Sequence, residues 1–442
     1  MQYETVRKEI DLHKRYNFPE YIYEIPHNGK WLIISRETAN WIVLENDRQV
    51  SFYHLLKLYP IQEAMRQFDG SVSDVQHVLL QLEARHFEDK TVIHYHFDFS
   101  LHLYLTNACN LRCPHCYLSA GIKCDNELTT EEIFDLLRNF KTYGGTNLVL
   151  SGGEICVRTD LENIIKYGKS LGLQIKLLTN GTLWDKEKID VIAPLINQIQ
   201  ISIDGYSEDT NAKVRGKGNF QKALDTVDAF VKKNIFTEVA ITPLYQNDYG
   251  QDANRYAEFG KSLLTKYKGY LFDVKFTGEI LDGRDIKLTN AQKQHYLKIS
   301  ERIFTDCYGD ISSVPFILAH RNKELSENCS FGNLAVASNG NVYLCAAIPN
   351  ISAVANIRST SFEKIAELRK TAFVKSNVNN LMPCRECALK YICGGECRVT
   401  HFKEFETDMF ITHNHYPTRK CDEYTKKKYL DLMLKTNESL FQ

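Results

Sequence analysis

Residues 107–121 read NACNLRCPHCYLSAG and set Cys109, Cys113 and Cys116 in the spacing C-x3-C-x2-C. A structural zinc site closes its tetrahedral sphere with four ligands. Three thiolates on one loop suit a centre that leaves a position open, such as a four-iron cluster with one iron free for an outside ligand. On these cysteines alone, a zinc loop stands as the alternative.

Working outward, a run that reads as a buried strand precedes the loop. LHLYLT (101–106) is followed by NLVLSG (147–152), QIKLLTN (174–180), QIQISID (198–204), TEVAIT (237–242) and DVKFTG (273–278). Apolar residues at helical spacing fill the intervals, as in TTEEIFDLLRNFKTY, DLENIIKYGKSLG, FQKALDTVDAFVKKN and NRYAEFGKSLLTKY. Thr129 or Thr130 ahead of Glu131 and Glu132 marks a helix start. Alternating strands and helices predict a parallel α/β sheet, here a partial (β/α)6 TIM-like barrel. Chemistry in such folds gathers at the C-terminal strand ends. The cysteine loop, SGGE, TNG, SIDG, TPLYQND and TGE all fall there. Turn chemistry alone predicts such a coincidence only weakly.

The flanks differ. Residues 1–95 hold no cysteine. WLIIS and NWIVL read as strands, with TVIHYHF as a further strand-like run. SFYHLLKLY, IQEAMRQF and VSDVQHVLLQLEARHF read as helices, with Ser71 capping the third. This predicts a winged-helix-like module, or else a cover over apolar surface. Residues 96–310 form the repeating core and 311–442 a cysteine-rich domain stabilised by clusters.

The chain has 442 residues, 43% apolar and 25% charged, with formal net charge −1 from 54 basic and 55 acidic residues. That balance supports neither nucleic acid nor an anionic membrane as a partner. The start carries scattered charges without an apolar signal core, and no apolar run reaches spanning length, so a cytoplasmic location is expected. Thirteen clustered cysteines are then poor disulfide candidates and better metal or cluster ligands.

The three-cysteine loop, with His115 before its last cysteine and Gly152, Gly153 and Glu154 after the next strand, resembles the radical S-adenosylmethionine (SAM) superfamily over residues 100–310. The resemblance implies a SAM-chelating 4Fe-4S cluster on Cys109, Cys113 and Cys116, and a 5′-deoxyadenosyl radical that abstracts hydrogen. It implies that Gly152 and Gly153 admit the SAM amino group and that Glu154 accepts from its ammonium. Asn180, Ser202 and Asp204 would meet ribose hydroxyls and the methionine carboxylate, with Arg215 pairing that carboxylate. Turn chemistry remains the alternative for Asn180 and Asp204, and a solvated charge for Arg215.

Cys329-x10-Gly340-x4-Cys345, then Cys384-x2-Cys387-x5-Cys393-x3-Cys397 and Cys421, resembles the SPASM extension of peptide-modifying radical SAM enzymes. Zinc knuckles are the alternative. The resemblance implies two auxiliary 4Fe-4S clusters, three in all. Cys384, Cys387, Cys393 and Cys421 would hold the distal one, and Cys329, Cys345 and Cys397 the proximal one. Lys323 stands where the fullest pattern has a further cysteine. Either Cys307 closes the proximal site or one iron stays open. Cys124 and Cys156 fit no motif and are expected to be small buried apolar residues.

The whole arrangement resembles maturases of ribosomally made peptides (RiPPs). It implies a precursor peptide whose leader segment the N-terminal module binds, and an electron donor such as flavodoxin or ferredoxin. The reaction implied is a thioether or carbon–carbon crosslink. Anaerobic sulfatase maturation to formylglycine and maturation of a peptide-derived cofactor are the alternatives.

Overall fold

A computed structural model describes residues 10–94, 98–243, 249–278, 280–308, 324–400, 407–411, 417–418 and 421–441. The N-terminal part contains β1 (Ile22–His27), β2 (Lys30–Ser35), β3 (Trp41–Leu44), α1 (Asp47–Leu58), α2 (Ile61–Gln67) and α3 (Val72–Ala84). The strands form an antiparallel sheet in the order β1-β2-β3. The hairpin between β1 and β2 turns on Asn28 and Gly29, both at positive φ (49° and 76°), as a two-residue turn of this hand requires. Ser71 caps α3 through a capping box with Asp74.

The sheet is buried on both faces. Ile33, Ile42 and Leu44 pack on Phe52, Leu56 and Val78 of the module's own helices. Leu32, Ile34, Trp41 and Val43 face the other way, onto Leu389, Ile392, Leu430, Met433 and Leu434. Its two open edges differ. Along β3, Gln81 accepts from the Val43 N–H (3.1 Å), His77 meets the Val43 carbonyl (3.0 Å), and Arg85 Nε donates to the Trp41 carbonyl (3.0 Å). Asn40 accepts from the Trp41 N–H (3.0 Å). Side chains therefore seal that edge. Along β1, the pairing register turns the backbone groups of Ile22 and Glu24 outward, and Pro26, which has no N–H to offer, stands at the next outward position.

Next come β4 (Ile93–His94) and six strands: β5 (Ser100–Tyr104), β6 (Asn147–Ser151), β7 (Gln174–Thr179), β8 (Gln198–Ser202), β9 (Phe236–Ile241) and β10 (Phe272–Phe276). The six are parallel in the order β10-β9-β8-β7-β6-β5, as the apolar runs predict. Leu103, Leu150, Leu177, Ile201 and Val239 point to the helical side, where Leu137, Ile164, Val227 and Phe230 complete the core. Alternation sends His102, Lys176, Gln200, Glu238 and Lys275 to the opposite, concave face. Thr129 caps the helix Thr130–Thr142 through a capping box with Glu132.

The sheet does not end with the six strands. β5 also pairs in parallel with β12 (Leu334–Val336), followed by β13 (Asn341–Tyr343) and β14 (Ala355–Asn356), so one nine-stranded sheet joins the core to the cysteine-rich part. β11 (Glu324–Leu325) pairs with β4. Residues 95–97, 244–248, Glu279 and Lys323, which carry parts of the sequence reading, lie outside the described residues. Among the described residues no helix is long and apolar enough to cross a membrane.

Candidate active site

The loop after β5 lies on the end of β6. The Gly153 N–H donates to the Thr106 carbonyl (2.8 Å) and the Glu154 N–H to the Ala108 carbonyl (2.9 Å). A Cβ on Gly153 would stand 2.1 Å from the Ala108 oxygen, and one on Gly152, at φ 135°, 2.5 Å from the Thr106 oxygen. The two glycines are thus needed first to let the cysteine loop down onto the sheet. The loop closes on itself where the Cys109 N–H meets the Gly121 carbonyl (3.1 Å). Backbone N–H groups of Leu111 and Ala120 donate to the Cys109 and Cys116 sulfurs (3.4 and 3.5 Å). Donors of this kind suit sulfurs that ligate metal; at Cys109 burial pushes the thiol up and the Leu111 N–H works against that rise.

A cavity of about 400 Å3 opens at these strand ends. Its wall includes Cys109, Cys113, Cys116, His115 and Arg215, together with Gly152, Gly153, Asn180 and Ser202. Two expected ligand-contacting residues stand behind it. Glu154 is 1% exposed and accepts from Thr179 (2.7 Å) and from the Asn180 and Cys156 N–H groups (2.7 and 3.1 Å). Burial pushes its carboxyl pKa up. Asp204, 0% exposed, accepts from Arg215 Nε (2.6 Å) and the Thr242 N–H (3.1 Å). Sequence gives residue type at a strand end but not direction, and these two carboxylates turn inward. They hold Asn180 and Arg215, which do face the cavity. Asn180 also ties the cysteine loop, donating to Asn110 (2.9 Å).

His115 Nε2 lies 3.5 Å from Asp204, while its buried Nδ1 has no partner among the described residues. That orphan in the wall, the glycine cradle and the three sulfurs form a donor set fitting an iron–sulfur cluster with a polar ligand beside it. Among the described residues no three His, Cys, Asp or Glu side chains converge as on a single ion.

The segment after β10 was not singled out from sequence, since LDGRDIK carries no motif. It comes back against the cysteine loop. The Arg284 and Asp285 N–H groups donate to the Cys116 and Pro114 carbonyls (3.1 and 2.8 Å). Arg284's guanidinium reaches the Cys113 and Ala120 carbonyls.

In the C-terminal part, burial first, with Cys329 and Cys397 as neighbours, pushes the Cys345 thiol up to about 11. The Leu389 and Val399 N–H groups donate to the Cys387 and Cys397 sulfurs (3.4 Å each). Cys384 is buried, and Cys393 ends the helical turn Lys390–Cys393. The Glu423 carboxylate first, with Cys421 and Cys387 as neighbours, pushes the Lys426 pKa up. Two tyrosines stand between the cysteine sites: Tyr104 Oη donates to the Ala346 carbonyl (2.5 Å) and lies 3.2 Å from Tyr117 Oη. Cys307, 2% exposed, packs in the core against Gly260 and Phe276. Cys124 and Cys156 are half-buried rather than fully enclosed, Cys156 at the margin of the core.

Residues 103–258 match the family model described as Radical SAM superfamily. The chain is 32% identical over 149 residues to "Sporulation killing factor maturation protein SkfB" of Bacillus subtilis (strain 168), covering 33% of this chain and 36% of that protein. It thus spans about a third of that relative's length. It is 27% identical over 323 residues to "AdoMet-dependent heme synthase" of Methanosarcina barkeri (strain Fusaro / DSM 804), covering 67% of this chain and 89% of that protein. The solved structure "Native anSMEcpe with bound AdoMet" superposes with a TM-score of 0.58 at 16% identity over 77% of this chain and 98% of that one, a likeness of fold.

Proposed function

Starting from a radical SAM domain at residues 103–258, we propose that this chain is a radical SAM enzyme that modifies a ribosomally made peptide. One observation carries the reading. Cys109, Cys113 and Cys116 share a cavity with Gly152, Gly153, Asn180, Ser202 and Arg215, and a second cysteine set lies beyond Tyr117 and Tyr104. Cys109, Cys113 and Cys116 would hold the SAM-binding cluster. That cluster, when bound with SAM, supplies the electron that releases a 5′-deoxyadenosyl radical able to take a hydrogen atom. The protein's share is orientation and exclusion of water. Asp204 holds Arg215 by Nε and leaves the outer guanidinium nitrogens for the SAM carboxylate. Ser202, whose hydroxyl has no partner among the described residues, can serve a ribose hydroxyl. Gly152 and Gly153 keep the wall low where the amino group would sit. Electrons would come from a flavodoxin or ferredoxin.

The Bacillus relative's name, a maturation protein, and the N-terminal module support a peptide substrate. A leader would add as a strand, and the sealed β3 edge leaves β1 to receive it. The module also covers apolar residues of the C-terminal helix Glu423–Phe441, so deleting it would strip the fold as well as the binding site. The selective test is Glu24→Pro, which removes an outward N–H without touching the β1–β2 ladder. Peptide affinity should fall at least tenfold relative to Glu24→Gln, with SAM cleavage kept. Equal affinity for the two variants would exclude β1 as the docking edge.

Cys329, Cys345 and Cys397 would hold the proximal auxiliary cluster and Cys384, Cys387, Cys393 and Cys421 the distal one. With Cys307 committed to the core, three ligands leave the proximal site a place for a substrate thiolate, which favours a thioether product. Changing Cys329, Cys345 and Cys397 to alanine should remove about four irons and the crosslinked product, while uncoupled 5′-deoxyadenosine formation continues. Unchanged product would defeat this assignment. The longer alignment to a heme synthase favours a second reading, a tetrapyrrole substrate. Modification of an iron porphyrin, with none of a peptide, would decide for it. Formylglycine formation is distinguished by a product with no new crosslink.

A further inference from the structure

We propose that Arg284 is a positioning residue for the cluster on Cys109, Cys113 and Cys116, holding their loop in shape and supplying its counter-charge. The inference rests on the radical SAM reading above. Five observations converge on one residue and its neighbours. The guanidinium donates to the carbonyls of Cys113 (3.1 Å) and Ala120, so it spans the loop from its middle to its end. Its own N–H donates to the Cys116 carbonyl (3.1 Å), and that of Asp285 to the Pro114 carbonyl (2.8 Å). Gly283 makes room: a Cβ there would stand 2.6 Å from the backbone of His115. Ile286 packs with Val214 and Cys113, next to Arg215. Finally, the half-buried guanidinium makes no ion pair with any carboxylate among the described residues, whereas Arg215 has Asp204.

A half-buried cation with no carboxylate partner among the described residues keeps its charge for other neighbours. Backbone carbonyls meet it as dipoles. Three thiolates on the strapped loop would give that charge a partner, because a cluster held by them is anionic and gains negative charge on reduction. Arg284 therefore has two separable effects. Its geometry fixes the carbonyls that set the loop's curvature, and its charge favours the reduced state. Lysine keeps the charge but reaches one carbonyl; glutamine keeps one contact and loses the charge.

The test uses the full chain purified without oxygen, as wild type and as Arg284→Ala, Arg284→Gln and Arg284→Lys. Iron and sulfide per chain, the low-temperature electron paramagnetic resonance (EPR) signal with and without SAM, and the reduction potential are measured. Circular dichroism and thermal melting of the iron-free chains follow the fold. Arg284→Ala should lose about four irons and the SAM-sensitive signal while the iron-free chain melts like wild type. Arg284→Gln should hold a cluster of more negative potential, and Arg284→Lys should restore the potential. Wild-type iron content, signal and potential in Arg284→Gln would overturn the proposal, even if Arg284→Ala misfolds. If the wild-type chain itself carries no SAM-sensitive cluster, the radical SAM reading fails instead, and the two failures stay distinct.

Discussion

Replacing Cys109, Cys113 and Cys116 together with alanine is expected to lower iron from about twelve to about eight per chain and to abolish SAM cleavage. The reasoning is local. The three sulfurs stand on one loop whose ends are joined by the Cys109–Gly121 bond and whose middle is strapped by the Arg284 contacts. Neither tie uses a thiol, so the fold should survive the change, and the melting temperature checks this. The auxiliary cysteines sit beyond the tyrosine pair and should keep their iron. SAM cleavage persisting in the triple variant would remove the basis for assigning this cluster.

Gly153→Ala should be nearly as severe, though it touches no ligand. The added methyl would stand 2.1 Å from the Ala108 oxygen, a backbone atom with nowhere to move without lifting Cys109. Overpacking against backbone costs about 3 kcal/mol, and the shift falls on the loop that shapes the site. The expected result is a lowered melting temperature and iron loss comparable to the triple cysteine variant. Gly121→Ala is the control: it lies on the same loop, at ordinary φ, and a Cβ there meets nothing within 4 Å. Full iron in Gly153→Ala would mean that the loop is not seated on β6 as described.

The core was legible because buried parallel strands read as short apolar runs, and all six fell within a residue or two of their expected bounds. β1 was not, because IYEIPH carries Glu24 and Pro26, the marks of an edge strand, and its partner run WLIIS reads as a strand without it. The extension through β12, β13 and β14 was hidden by length: two or three residues per strand leave no period to detect. At the site, cysteine spacing carried its own chemistry, so the loop was readable. Glu154, Asp204 and Arg284 were not, because their roles depend on which way a side chain points. Glu154 and Asp204 read as ligand contacts, whereas the structure turns their carboxylates onto protein partners, and Arg284 sits in a segment whose significance lies in where the chain returns. Of the two expectations for the N-terminal module, the cover over apolar surface has a visible counterpart in the sheet face packed on the C-terminal helix, while peptide binding along β1 is the proposal that Glu24→Pro tests.

The most direct test of the account is anaerobic incubation of the reconstituted chain with dithionite and SAM, with 5′-deoxyadenosine and methionine quantified by mass spectrometry. The account predicts that both form in equal amounts in the wild-type chain and in neither the triple cysteine variant nor Gly153→Ala. A fully iron-loaded wild-type chain that leaves SAM intact would contradict it.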